Sequence, residues 1–200
     1  MTIPFVYPPL PHVRRHGPMG YADYASYRPW LRDEFSFRCV YCLLREPWGR
    51  VHGLYDIDHL LPIVNHVGLA LHYDNLLYSC TTCNTTKGSR EIPDPLLVLT
   101  NSNVQVGENG LMHSATPEAA RLIELLGLNG KIAVEFRSLW IGVIALAAKS
   151  DLELFRRLMG YPNDLPDLAS LNPPHGNLRP EGVRQSSYAH KQNGTLPETY

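Results

Sequence analysis

Two Cys-x-x-Cys pairs constrain this chain more than any other feature: Cys39-Val40-Tyr41-Cys42 and Cys80-Thr81-Thr82-Cys83. Each pair sets two sulfurs on one side of a tight turn, and two such knuckles complete a tetrahedron. The chain has no other cysteine. In a reducing compartment this pattern selects a metal over a disulfide, with free thiols or a redox pair as the alternatives. The spacing predicts a closed, structural zinc on Cys39, Cys42, Cys80 and Cys83. Such a site supplies roughly 10–16 kcal/mol of apparent binding free energy to folding, enough to pin a segment with little core of its own.

The stretch between the knuckles carries chemistry-bearing residues. Val51 to His59 alternates apolar and polar residues near its end, as a half-buried strand does, and Pro62 stops it. Asp58 and His59 are adjacent, so a strand sends their side chains to opposite faces. One is then free to bind a cation while the other faces a substrate; alternatively both are ordinary surface groups. Asn65 to Asp74 reads as a loop, Leu76-Leu77-Tyr78 as a short returning strand, and a short helix is expected from Cys83 or Asn84 to Gly88. Asn75 either braces the loop behind His59 or is a turn residue. Asn84 either caps the helix or offers its carbonyl oxygen to a hard cation. Lys87, three residues on and on the same helical face, meets a phosphate oxygen or is solvated. His52, His66 and His72 offer further contacts to phosphate or metal, or local hydrogen bonds. Tyr41 and Trp48 read as packing around the first knuckle.

The rest of the 200 residues divides by composition. Residues 1–35 are rich in Pro, Tyr and Arg without a period: an irregular arm that wraps the domain or binds a partner, with a short helix over Leu31 to Phe37 at its end. Residues 36–92 hold the site, and 93–165 form an extension. There, Leu96 to Thr100 reads as a strand, and Gly107-Glu108-Asn109-Gly110 turns a hairpin. Thr116 and Pro117 start a helix that Gly127 ends. A second helix runs from about Gly130 to Lys149, with Ile132, Phe136, Leu139, Val143 and Leu146 as its buried stripe. A third is capped at Ser150-Asp151-Leu152-Glu153 and ended by Gly160. Residues 166–200, rich in Pro, Asn, Gly, Ser and Gln, are expected to be disordered. Formal net charge is −1, with nine neutral His, so the chain does not announce a nucleic-acid binder by charge alone. No apolar run approaches the roughly 20 residues that span a bilayer, and the start lacks a signal peptide's pattern, so a cytoplasmic, membrane-free location is expected.

Taken in order, Cys39-x-x-Cys42, Asp58-His59, Pro62, Asn75, Cys80-x-x-Cys83-Asn84 and Lys87 resemble the HNH endonucleases, the ββα-metal nuclease superfamily. The resemblance spans about residues 36 to 92. It implies an α+β fold: a ββα-metal core with four-Cys zinc knuckles, here followed by the hairpin and helical extension. It implies His59 as general base, Asp58 and Asn84 as ligands of a catalytic divalent ion, and Asn75 as the residue that orients the base-bearing loop; Lys87, by its place on the helix, is a further catalytic candidate. Many members carry His where this chain has Asn84, and an amide oxygen favours Mg2+ or Mn2+ over catalytic zinc. The implied activity is hydrolysis of phosphodiester bonds, with DNA as the expected nucleic-acid partner. An RNA-directed nuclease and a non-catalytic zinc-knuckle binding module are the alternatives. Asp94-Pro95, Asn109-Gly110, Leu126-Gly127-Leu128-Asn129 and Arg137 resemble, more loosely, the extension of a bacterial HNH subgroup partly linked to anti-phage defence. A protein partner is expected through the N-terminal arm or the C-terminal helices.

Overall fold

The computed structural model describes residues 4–49 and 54–200, so Val51, His52 and Gly53 of the expected first strand lie outside the described residues. Strand β1 (Tyr55–His59) pairs antiparallel with β2 (Leu76–Cys80), in a register that sets Tyr55 opposite Cys80, Asp58 opposite Leu77 and His59 opposite Leu76. Every residue of β2 is buried. Helix α1 (Arg28–Glu34) and helix α2 (Thr81–Lys87) both pack against it, which its continuous apolar run anticipates. Helix α1 starts with Pro29 in its first turn, a few residues earlier than the sequence predicts. Helix α2 likewise begins before Cys83: Cys80 closes the strand and serves as N-cap, so the second knuckle straddles the strand–helix junction. Gly88, with φ of +55°, ends that helix in the left-handed region that glycine tolerates.

The extension opens with helix α3 (Pro95–Val98), where a strand was expected. Asp94 decides this: its carboxylate accepts from the Leu96 amide, and Pro95 fills the first helical position. The hairpin forms as expected, β3 (Val104–Val106) against β4 (Met112–Ser114). Its Gly110 needs to be glycine, since φ is +80° and a Cβ there would lie 2.4 Å from the Val134 carbonyl oxygen. Helix α4 (Pro117–Leu125) is capped by Thr116, and helix α6 (Leu152–Met159) by Asp151. Between them runs helix α5 (Lys131–Ser150).

The α5 face differs from the expectation. Ile132, Leu139 and Leu146 are 83%, 65% and 66% exposed, and Phe136 is exposed with them. The protein side is instead held by Arg137, Ile141, Ile144 and Ala147, one or two residues further along the helix. Periodicity alone picked the more hydrophobic of two neighbouring stripes. The buried stripe escaped notice because it contains Arg137, whose Nε donates to the Gly110 carbonyl and whose Nη2 donates to that of Leu128. Burial pushes this guanidinium's pKa down. Trp140 stacks flat on Trp48, centroids 4.6 Å apart, and so fastens α5 to the first knuckle.

Residues 166–200, expected to be disordered, are ordered against the rest of the fold. Helices α7 (Glu181–Arg184) and α8 (Ser187–Gln192) form there. The stretch around Asn177 pairs with the N-terminal arm at Pro18, and Arg179 forms a two-pronged ion pair with Asp74. Tyr200 lies over the Arg45 guanidinium. Low hydrophobicity misled here because the tail buries polar groups on polar partners, as when the Ser187 amide donates to Asp33. Gly182 is tight against the arm: a Cβ there would lie 1.9 Å from the Arg15 carbonyl oxygen, so only glycine fits. The arm itself wraps the domain: Phe5 and Tyr7 are buried, and His12 and His16 pair with Glu34 and Asp33 of α1. Among the described residues no helix is long and apolar enough to cross a membrane.

Candidate functional site

The four thiols converge. One ligand atom from each of Cys39, Cys42, Cys80 and Cys83 lies within 4.8 Å of every other, with Cys42 and Cys80 Sγ 3.7 Å apart. The first knuckle turns through Leu43 at φ of +59°, held by the Leu43 amide donating to the Cys39 carbonyl and the Cys39 amide donating to that of Leu44. A branched side chain in that region costs about 1–2 kcal/mol, so the turn is one that needs outside support. Burial pushes the Cys39 thiol up, and hydrogen bonding with its sulfur neighbours pushes Cys83 up, whereas the same neighbours, Cys39 first, pull Cys80 down. Four thiols so close cannot all ionise by themselves; a divalent cation resolves the conflict by taking all four as thiolates. The donor set and spacing fit zinc.

Strand β1 offers its two faces to different work. On one face lies His59. Its Nε2 is 2.9 Å from the Ala70 carbonyl oxygen, and its ring meets Tyr24 of the arm edge-on at 5.2 Å. A carbonyl only accepts, so Nε2 carries a proton, and the tautomer this contact selects has its lone pair on Nδ1. The loop that supplies Ala70 is braced by Asn75. Its Oδ1 accepts from the Leu61 amide, its Nδ2 donates to the Leu61 and Leu69 carbonyls, and its own carbonyl accepts from Leu60. The side chain therefore ties together the two ends of the segment that orients His59.

On the other face lie Asp56 and Asp58, opposite α2. Asp58 is 4% exposed. One of its oxygens accepts from Lys87 Nζ at 3.0 Å, the other from the Tyr41 hydroxyl at 2.5 Å. Lys87 is 1% exposed and also donates to the His59 carbonyl at 2.6 Å. This corrects the expectation of a catalytic Lys87: its ammonium is buried, turned inward toward β1, and pins the Asp58–His59 strand end instead of facing a phosphate. Helical position alone could not show this, since the face Lys87 shares with Asn84 is the face packed on β1. Asn84 Nδ2 in turn donates to Asp56 at 3.2 Å, not to Asp58. The structure thus separates the two expected ion ligands, pairing Asn84 with Asp56 and Asp58 with Lys87. In kind, two carboxylates and a carboxamide fit a hard divalent ion. In arrangement, Asp58 has both oxygens engaged.

Three residues beside the site were not singled out by the sequence for these contacts. Tyr41, read as packing, holds Asp58; burial and the neighbouring Asp58 charge push its hydroxyl well above the usual range. Asp56 was recoverable from strand alternation, since it shares a face with Asp58. Nothing local marks Tyr24. His66 faces Glu91, with Nε2 at 3.3 Å from its carboxylate. Glu34, beneath the loop, accepts from His12, the Arg15 and His16 amides and the Tyr73 hydroxyl.

Two antiparallel strands, a braced loop and a helix, closed at the base by four thiols, make up a ββα unit with a metal knuckle. Residues 39–90 match the HNH endonuclease family model, and this segment is an HNH endonuclease domain within an α+β chain. No curated protein sequence matches the chain.

Proposed function

We propose that the chain is a metal-dependent endonuclease that hydrolyses DNA phosphodiester bonds, with His59 as general base. The observation that carries the reading is the His59 ring held through Nε2 by Ala70, which leaves Nδ1 to accept a proton from water. Asn75 keeps the ring-orienting loop in place, and Lys87 fixes the strand that bears Asp58 and His59. A divalent ion such as Mg2+ or Mn2+, held by Asp58 and Asn84, would stabilise negative charge developing on the phosphate and on the leaving oxygen. An ion on Asp58 would use the second lone pair of an oxygen that already accepts from Lys87 or Tyr41. Asp56, already on Asn84, is the other carboxylate able to serve, and cleavage by Asp56→Asn and Asp58→Asn variants separates the two. A zinc on the four thiols would be structural, with no coordination position left for substrate. Four thiols free to bind metal suit a reducing, cytoplasmic setting.

With a net charge of −1, the chain lacks the general cationic character that gives strong binding to any phosphate backbone. Recognition of substrate then rests on local groups or a partner protein. The test is incubation of the purified chain with supercoiled, linear, single-stranded and branched DNA and with RNA, each with magnesium, manganese or chelator. Cleavage of DNA that chelator abolishes supports the reading. Cleavage of RNA alone reassigns the substrate, and cleavage of nothing leaves a zinc-knuckle binding module.

A further inference from the structure

The exposed stripe on α5 has a period of its own. Ile132, Phe136, Leu139, Val143 and Leu146 recur at alternating intervals of four and three, the heptad spacing of a two-helix seam. Val143 is half-buried, and the other four are exposed. The seam is not a frayed edge of the core, because Ile141, Ile144 and Ala147 fill the inward side of the same helix. A contiguous apolar strip of this length left in water marks an interaction surface.

Charge placement says what covers it. Glu135 and Lys149 stand along one side of the seam, each one heptad away from Gly142. We propose that α5 pairs antiparallel with α5 of a second copy of this chain, about a two-fold axis near the helix middle. That arrangement lays Phe136 on Leu146 of the second copy and Leu139 on its Val143. It also sets Glu135 across from Lys149 of the second copy, and the symmetry makes each contact twice. Flanking charges of this kind set helix orientation. A parallel pairing brings Glu135 to the position of Trp140 and carries Lys149 past the end of α5, so neither meets an opposite charge on the second copy, and Glu135 is left with Lys131 of its own helix, 4.0 Å away. Gly142 sits beside the crossing, where an added Cβ would meet nothing within 4 Å, so the face is open to close approach of another backbone. The inference rests on α5 alone and is independent of the nuclease reading.

The test is light scattering coupled to size exclusion, on the full zinc-loaded chain across a concentration series. Twice the monomer mass is expected. Leu139→Glu should give a monomer at every concentration with zinc content and far-UV circular dichroism unchanged. Glu135→Lys should raise the dimer dissociation constant by about tenfold or more, equivalent to about 1.4 kcal/mol. Adding Lys149→Glu to it should restore the wild-type value. A wild-type chain that stays monomeric at its highest soluble concentration overturns the proposal, as does a dimer indifferent to Leu139→Glu. A charge swap that fails to restore affinity overturns the antiparallel arrangement.

Discussion

The thiols and the carboxylates of the HNH domain are held in opposite ways. Each cysteine pair sits on one local turn, so its spacing nearly determines its geometry, and only the meeting of two turns is left to the fold. Asp56 and Asp58 sit on a strand, and their partners cross from a helix on the far side of β2 in sequence. Spacing says that Asn84 and Lys87 share a face. It does not say which carboxylate each will meet. A motif therefore states its ligands more firmly where they are neighbours in the chain than where they meet across elements.

The largest predicted effect falls on the thiols. Cys80→Ser removes one of four ligands from a site of the kind that contributes about 10 kcal/mol or more to folding, so residues 39–90 should lose both zinc and secondary structure. Metal analysis and circular dichroism report this. A zinc-free variant that keeps its fold and activity would break the contrast from the thiol side.

Lys87→Met comes next. It leaves Asp58 buried without its cation, which costs about 3–5 kcal/mol. Thermal melting should therefore fall along with activity. A variant with unchanged melting and only a raised KM would point to contact between Lys87 and phosphate instead.

Asn75→Ala removes a side chain that makes three hydrogen bonds to the His59 loop. Loss of a buried hydrogen-bonded group costs about 1–3 kcal/mol. Activity should drop by more than stability, because a displaced general base forfeits up to about 10²–10⁴ in rate. Measured kcat, set beside the melting temperature, tests whether the loop is a positioning device.

The last prediction concerns the arm and touches stability alone, mostly at acid pH. Burial alone would push the Glu34 carboxyl up, but hydrogen bonds from His12 and the Arg15 amide, with the Arg14 charge, outweigh it and hold the value at about 2, below the usual 4.5. A depressed carboxylate stabilises the fold above its unfolded value, and that contribution is lost as pH falls through the folded one. About 3 kcal/mol is then present near neutrality and fades between about pH 4.5 and 2. Glu34→Gln should flatten the acid limb of a stability–pH profile.

What was legible in the chain follows the same contrast. The knuckles, both strands of the core, the hairpin and the cap at Thr116 rest on neighbouring residues and could be read directly, while the third helix is capped by Asp151, one residue past the Ser150 that opens the expected box. The strand expected at Leu96 gave way to the local Asp94-Pro95 cap, a helix-start signal that lies in the sequence itself. The remaining departures are long-range. The tail is ordered through Asp33, Asp74 and Arg45, residues far away in sequence. The buried face of α5 was hidden by Arg137, a charge that becomes core only because the hairpin and the turn after α4 supply carbonyls to it. Strand alternation places Asp56 beside Asp58, but its pairing with Asn84 is long-range and no spacing rule ties the two.

The central claim is that the strand end at His59 does chemistry while the thiols only hold it in place. His59→Ala, purified with its zinc content and melting temperature measured, should lose magnesium- or manganese-dependent DNA cleavage while keeping both metal and fold. Cleavage at the wild-type rate by that folded, zinc-loaded variant would contradict the account.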